Sequence, residues 1–390
     1  MKQFNLVLLN VFLFCGCTEK PTSLNEGNSV EIKVLDKVKN LEENLDGIFQ
    51  FIDLIPLKKK QSFLLGIDKL VEIDSGFLVL DIKMNSLYLF GQNGEYKYKF
   101  GTVGHGPGEY KGISDFFILG KKIFIFSPGD QALFVFKLDS GEFFDKIIVP
   151  EFGHHLVPIS DLEFLVYVSN NPFNANFNVF RYDFTGKLLA SYFPFDPIKS
   201  NNMATISGFL TRQNGQIFMS QSFDHKIYEF DSQTRGFIPV FHFDFINKNM
   251  IEDRENFDLF LNPNFLINPE SQPRFLMNLF LKSRKHLLFS FLFDSKKIFG
   301  LQNLEKTEVR FFSQATDSEF IRLVDDPVLL NENDELIFPV PLEGITNLDS
   351  DEKKSSLISN IKDRLNPITD DIIYYLVKVK IRENKETQIK

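Results

Sequence analysis

Short apolar segments separated by polar turns recur along most of the chain. Each unit begins with an apolar strand and continues through a polar turn into a second strand that ends in an aromatic residue. A turn with Gly or Asp then leads into a third strand. Within residues 95–100 (Glu-Tyr-Lys-Tyr-Lys-Phe), the aromatic side chains fall on one face and the charged ones on the other. This period of two is typical of a half-buried β-strand.

Six such units follow one another, although only the opening of the last is clear. They begin at Gly76, Lys121, Leu162, Gly215, Lys285 and Asp334. Blades of four-stranded propellers take about 40–50 residues, and two of the intervals are longer, which indicates insertions. Consecutive meander units without helical spacing between them favour a β-propeller over a β-sandwich. The sequence therefore predicts an all-β, six-bladed β-propeller with small helical insertions.

The two ends of the repeat region predict how the ring closes. Residues 67–74 can form the innermost strand of the first blade, which leaves the strand at 51–57 (Phe-Ile-Asp-Leu-Ile-Pro-Leu) without a place there. The strong strand at 372–381 is followed by nothing apolar. We expect these two strands to pair as the outer part of the last blade, since closure removes a free sheet edge.

Two segments do not fit the repeat. Residues 247–280 contain three prolines and form an irregular excursion, with a short helix at 249–261. Residues 349–365 have helical spacing, and the apolar positions that share a face are Leu357, Ile358, Ile361 and Leu365. Asp349 or Asp351 can cap the start of this helix. Either excursion can carry a binding site or cover a rim of the ring, and both interpretations stay open.

The first seventeen residues are typical of an export signal. Lys2 supplies positive charge, and the apolar run at 4–14 is about 11 residues long, shorter than the roughly 20 that a membrane-spanning helix needs. The end of this segment (Leu-Phe-Cys-Gly-Cys) resembles a bacterial lipobox with Gly16 before Cys17, although Phe14 departs from the pattern. The resemblance implies lipid attachment to Cys17. An ordinary secretory signal with a chance cysteine is the alternative.

Four regions follow from these observations. They are a signal peptide with lipobox at 1–17, a tether and lead-in at 18–45, the propeller at 46–383 and a polar tail at 384–390. Thr18 stands where an Asp would resemble an inner-membrane retention signal, so an outer-membrane location is favoured, with the leaflet left open.

A glycine-rich motif at residues 100–110 follows the outer strand of the first blade. A phosphate cradle is disfavoured, because no Gly-Lys-[Ser/Thr] follows and a proline removes one backbone donor. The motif instead predicts a compact inter-blade loop whose residues supply left-handed backbone positions. These loop residues are Gly101, Gly104, Gly106, Pro107 and Gly108.

This motif, Phe-Gly-x-x-Gly-x-Gly-Pro-Gly-Glu-Tyr before a strand, resembles the inter-blade signature of NHL-repeat-like six-bladed β-propeller lipoproteins of Bacteroidetes. The resemblance covers about residues 30–381, and the lipobox before them matches the same family. In blades three to six the glycine signature is absent. The resemblance implies the architecture and an envelope location, and it implies no reaction.

Four residues around this loop are the predicted ligand contacts. His105, Glu109, Tyr110 and Asp115 bring polar and aromatic side chains to one blade junction. The alternative is that Glu109 and Tyr110 only lock the loop by hydrogen bonding and packing.

Composition and the absence of known catalytic motifs limit the kinds of partner and reaction that the chain can have. A net charge of −9 disfavours nucleic acid as a partner. Both cysteines lie in the signal segment, which excludes thiol chemistry from the mature chain, and neither GxSxG nor HExxH occurs. His154 and His155 are adjacent, so on a strand they point to opposite faces and cannot chelate together. No catalytic residue, metal ligand or cofactor is assigned.

The favoured hypothesis is a non-enzymatic binding or scaffold protein of the cell envelope. It is anchored to the membrane by lipid on Cys17, and its candidate partners are other envelope proteins, a peptide or a glycan. The alternatives are a metal-dependent propeller enzyme of lactonase or lyase type and a structural module of a larger complex. The 46 Phe predict aromatic packing between blades, while the absence of Trp weakens direct glycan binding.

Overall fold

The protein is described by a computed structural model that covers residues 29–34, 41–42, 45–58, 64–169, 171, 176–195, 208–221, 224–245, 274–293, 296–306, 308–313, 320, 323–346, 355–365 and 371–383. It is mainly β-structure, and six small sheets are arranged as a six-bladed β-propeller. The fold class predicted from the repeat is confirmed.

Two strands precede the first blade, β1 (Val30–Lys33) and β2 (Phe49–Lys58). Blade one contains β3 (Lys69–Ile73), β4 (Gly76–Asp81), β5 (Ser86–Phe90) and β6 (Tyr96–Lys99). The short strands β7 (Thr102–Val103) and β8 (Glu109–Tyr110) lie between blades one and two. Blade two contains β9 (Asp115–Leu119), β10 (Lys122–Ser127), β11 (Ala132–Lys137) and β12 (Phe143–Ile148). Blade three contains β13 (His155–Pro158), β14 (Glu163–Tyr167), β15 (Phe177–Asp183) and β16 (Leu188–Pro194).

Blade four contains β17 (Phe209–Gln213), β18 (Gln216–Ser220), β19 (Lys226–Asp231) and β20 (Gly236–Asp244). Blade five contains β21 (Arg274–Lys282), β22 (His286–Phe293), β23 (Lys296–Asn303) and β24 (Val309–Ser313). Blade six contains β25 (Leu329–Leu330), β26 (Glu335–Pro341) and β27 (Ile372–Ile381). Two helices, α1 (Leu342–Thr346) and α2 (Ser356–Arg364), lie between β26 and β27.

The first strand of each blade is the innermost, since the first strands of neighbouring blades contact one another around the axis. These innermost strands all begin at the same face of the ring. We call it the crossover face, because there the chain passes from the outer strand of one blade to the inner strand of the next. The opposite face, which carries the turns between the first and second strands, is the turn face.

The ring closes by pairing β2, the strand directly before the first blade, with the last strand, β27. β2 runs antiparallel to β27 and forms the outermost strand of blade six, with Leu54 opposite Val377. The predicted pairing of residues 51–57 with 372–381 is confirmed. Closure of this kind covers the edge that β27 would otherwise leave unpaired.

The segment before β2 also follows the outer rim. β1 adds a fifth, parallel strand to blade four, with Ile32 opposite Phe243 on β20. The amide of Glu42 then donates to the carbonyl of Phe311 on the outer strand of blade five (2.7 Å). The lead-in therefore contacts the rims of three consecutive blades, a pairing that the sequence pattern did not predict.

The second excursion covers the outer side of blade six. Helix α2 runs along β2, and the carboxylate of Asp46 accepts hydrogen bonds from the amides of Ser356 and Leu357 (2.6 and 3.1 Å). The predicted cap was wrong. Ser355 caps the helix by accepting from Ile358 N, because the helix begins only at Ser356. Asp349 and Asp351 lie outside the described residues.

The excursion predicted at 247–280 extends too far at its C-terminal end. The predicted helix at 249–261 lies outside the described residues, but residues 274–280 belong to β21, the innermost strand of blade five. The three prolines before residue 274 favour a loop, and the sequence pattern extends that interpretation to residue 280. The apolar run that follows the prolines instead pairs with β22 in an antiparallel ladder.

Phenylalanine packing between blades is confirmed. In blade two, the rings of Phe117 and Phe124 stack with centroids 4.7 Å apart and also contact Phe184 of blade three. At the closure, Phe49 meets Phe312 of blade five and Phe338 of blade six edge to face, each at 5.8 Å. These edge-to-face and stacked contacts add to the gain from apolar burial.

Replacing Phe49 by Ala tests the importance of closure. Phe49 is fully buried, so Phe49→Ala should lower the free energy of unfolding by about 3–5 kcal/mol, measured by urea denaturation. Phe144→Ala, on the exposed side of β12, is the control and should cost less than about 1 kcal/mol. Equal effects of the two substitutions would contradict the packing described.

Candidate functional site

The glycine motif forms a compact loop on the crossover face between blades one and two. β7 and β8 pair in parallel, with Thr102 opposite Glu109. Gly101 and Gly108 have φ of +64° and +76°, a left-handed conformation that other residues adopt at a cost. The predicted inter-blade position of this motif agrees with the structure.

Glu109 holds the loop from within. Its Oε2 accepts hydrogen bonds from the amides of His105 (2.9 Å) and Gly106 (2.8 Å). Gly104 leaves room for this carboxylate, since a Cβ at that position would come within 2.1 Å of Glu109 Oε2 and displace it. The side chain of His105 itself is exposed.

Tyr110 anchors the end of the loop in the core. Its ring is fully buried against Phe134, and its hydroxyl donates to the carbonyl of Phe100 (2.9 Å). Burial raises the pKa of Tyr110 well above its usual value. These contacts give Glu109 and Tyr110 the locking role, while ligand binding by the loop stays a prediction.

Asp115 lies elsewhere, at the axis of the ring. It is the first residue of β9, and only 3% of its side chain is exposed. Its Oδ1 accepts from Lys69 Nζ (2.7 Å) and from Phe116 N (2.8 Å), and its Oδ2 accepts from Leu156 N (3.0 Å). His155 Nδ1 is 3.7 Å from Oδ2. The carboxylate therefore contacts groups from three consecutive blades.

The electrostatics of Asp115 follow from these contacts. Burial alone would raise its pKa, but Lys69 and His155 outweigh burial, so the pKa of this carboxyl lies below its usual value. Asp115 is thus ionised at neutral pH, and its negative charge faces Lys69 across the junction of blades one and two.

Lys69 and His155 are the exposed parts of this axial cluster. Their side chains are 34% and 37% exposed. Lys69 Nζ also donates to the carbonyl of Phe116 (2.7 Å), which leaves one of its three hydrogens for another acceptor. The imidazole of His155 stacks on the ring of Tyr167, with centroids 6.3 Å apart, which fixes its orientation.

The innermost strands of blades four and six begin with apolar residues, Phe209 and Leu329. Phe209 is buried against Phe280 of blade five, and Leu329 packs against the core between blades six and one. The polar groups of the axial cluster therefore come from blades one to three.

The structure separates the four predicted contact residues. His105, Glu109 and Tyr110 stay together in the loop, whereas the polar contacts of Asp115 are with the inner strands of neighbouring blades. Sequence reasoning missed Lys69 and His155. Both begin an innermost strand, as Asp115 does, so aligning the units on their innermost strands would have grouped the three.

In the parts of the chain that the structure describes, no group of three or more His, Cys, Asp or Glu side chains is placed to hold a metal ion. In the same parts, no helix has the length and apolar character needed to cross a bilayer.

One protein family matches most of the chain. The model described as "Domain of unknown function (DUF4934)" matches residues 29–370. The chain belongs to this family. None of the curated proteins compared with it is significantly similar.

Two solved structures share the fold. A protein from Bacteroides fragilis NCTC 9343, described as a "putative exported protein", is 16% identical with a TM-score of 0.71, and the match covers 90% of this chain and 99% of that one. A member of the DUF4221 family from Bacteroides vulgatus ATCC 8482 is 11% identical with a TM-score of 0.54, covering 86% and 98% of the two chains. Similarity at these identities shows the fold alone.

His154, next to the axial cluster, predicts a pH dependence of stability. Burial, together with the nearby His155, lowers the pKa of His154 to about 4 from an ordinary 6.5. Between these values the unfolded chain binds more protons, so acidification should destabilise the fold by up to about 3 kcal/mol through this group. His154→Gln should lose this part of the decline between pH 6.5 and 4, measured by urea denaturation. His105→Gln, on an exposed loop, should keep it, and identical profiles for both variants would refute the assignment.

Proposed function

We propose that the protein is a lipid-anchored envelope protein that binds its ligand without catalysis, through the crossover face of the propeller. The export signal, the lipobox-like end at Cys17 and the polar tether support the anchor. The description of the Bacteroides fragilis structure as an exported protein is consistent with this location. Identity as an NHL-like repeat protein and a location in the outer membrane belong to the same proposal.

The axial cluster is the observation that carries the binding role. A buried carboxylate costs free energy unless it is paired, and here it is paired with Lys69, whose side chain is partly exposed, while His155 lies beside the same carboxylate. Asp115 already receives contacts from four groups, so its charge is largely compensated. The spare hydrogen of Lys69 is then available to an anionic group such as a carboxylate.

Substitution of the two leader cysteines tests the anchor. Cys17→Ser should abolish incorporation of an alkyne-labelled fatty acid into the protein, because the acceptor thiol is gone. Cys15→Ser, two residues earlier, is the matched control and should be labelled like the wild type. Labelling of Cys17→Ser, or loss of labelling in Cys15→Ser alone, would refute attachment at Cys17.

Titration with acetate tests the axial site. In protein labelled with ¹⁵N-histidine, acetate should shift the His155 ring signals saturably, whereas acetamide, its neutral isostere, should not. Lys69→Met should weaken acetate binding about tenfold, as expected for the loss of one charged hydrogen bond. Lys111→Met is the control, since Lys111 lies on the same face but its Nζ is 3.9 Å from Asp130 and not at the axis. Equal shifts with acetamide, or equal losses in the two variants, would refute an anion site.

A further inference from the structure

A cavity opens on the turn face where blades five and six meet, on the opposite side of the ring from the axial cluster. Its volume is about 80 Å³, and its lining comes from blade five and from the residues that follow β27. A second, open cavity of about 610 Å³ adjoins it at Arg382 and Glu383. The smaller cavity exceeds the space that a single water needs.

A buried histidine lies in the wall of the smaller cavity. The side chain of His286 is 3% exposed, and its Nδ1 is 2.9 Å from Oδ1 of Asp334 in the first turn of blade six. A carboxylate partner places the ring proton on Nδ1, which leaves Nε2 as an acceptor for the cavity that the ring lines. Because the contact of Nδ1 with Asp334 orients the imidazole ring of His286, Nε2 has a fixed position.

The neighbouring serine does not convert this pair into a nucleophilic triad. The hydroxyl of Ser283 donates to Oδ1 of Asp334, the same oxygen that His286 contacts, and it accepts from the amide of His286 (2.9 Å). It is thus engaged with the carboxylate and the backbone, whereas a serine nucleophile must be hydrogen-bonded to the imidazole. The cluster therefore presents an acceptor to the cavity and no nucleophile.

The charges around the two cavities balance. The cationic side chains are Lys285, Lys306, Arg310, Lys380 and Arg382. The anionic side chains are Asp46, Glu305, Glu308, Asp334 and Glu383. The joint lining thus offers many donors and many acceptors without a net charge, and among the residues described it contains no Phe, Tyr or Trp. Hydroxyl groups match such a lining, because each one both donates and accepts.

We propose that the two adjoining cavities together bind a neutral, hydroxyl-rich small molecule, a polyol or a monosaccharide, with one hydroxyl donating to Nε2 of His286. Over the two cavities together the charges balance, so neither an anion nor a cation would find a net opposite charge. The proposal goes beyond the function proposed above, whose site lies on the other face and takes an anionic group. The two are independent, so either can fail alone.

Saturation-transfer NMR of the full chain tests the proposal, with four probes of similar size. Myo-inositol and D-galactose are neutral, whereas D-galacturonate and D-galactosamine carry one charge each. At least one neutral probe should bind, and the charged probes should bind more weakly. Absence of binding by both neutral probes, or tighter binding of a charged one, would overturn the proposal.

Two adjacent residues provide matched variants. Lys285 pairs with Glu383 (3.1 Å) and lines the cavity, while Arg284 pairs with Glu332 (2.9 Å) and lies outside the lining. Lys285→Met should weaken binding of the neutral probe about tenfold, and Arg284→Met should leave it unchanged. Both residues are exposed, so both variants should fold.

A third variant addresses the acceptor directly. His286→Phe removes Nε2 and should abolish binding, provided that its thermal unfolding shows a folded protein. If it does not fold, the comparison of Lys285→Met with Arg284→Met decides alone. Equal effects of that pair would place the ligand elsewhere and overturn the assignment of the cavity.

Discussion

The pairing of β2 with β27 is the contact on which the rest of the molecule depends. A propeller blade buries its two sides only against its neighbours, so a ring with one open junction would expose the apolar sides of two blades at once. Here β2 completes the last blade, and Phe49 at its start packs against Phe312 of blade five. No disulfide contributes, because both cysteines precede the propeller. Stability therefore rests on apolar burial and on closure.

Closure also determines what the axis can hold. Asp115 accepts hydrogen bonds from three blades at 2.7–3.0 Å, and such distances persist only if the innermost strands keep their radial positions. A buried carboxylate without these donors would raise the free energy of the folded state. The contacts of Asp115 therefore favour the closed arrangement of blades one to three. The polar side chains at the opening are thus fixed by architecture and not by a flexible loop.

The repeat could be predicted because a period of two and the turn residues are local signals, and they located all six blades and the closing strands. β1 was missed because four residues with one buried side chain contain too little pattern. The start of the innermost strand of blade five was assigned to an excursion because three prolines precede it. The helix cap was predicted at Asp349 or Asp351, because the sequence does not show that the helix begins only at Ser356, after Ser355. Asp115 was chosen for its place beside the glycine loop, but its partners, Lys69 and His155, are brought to it by contacts between blades that leave no local trace in the sequence.

The two polar openings depend on different parts of the ring. The axial cluster is built from the inner strands of blades one to three, which follow one another along the chain. The turn-face cavity lies at the junction between blades five and six, where Arg382 Nε donates to the carbonyl of Phe49 at the start of β2 (3.1 Å). Anything that loosens the closure therefore alters that cavity first, whereas the axial cluster is affected only when the ring itself opens. Occupation of the turn-face cavity would in turn favour the closed ring, because a ligand stabilises the state that binds it.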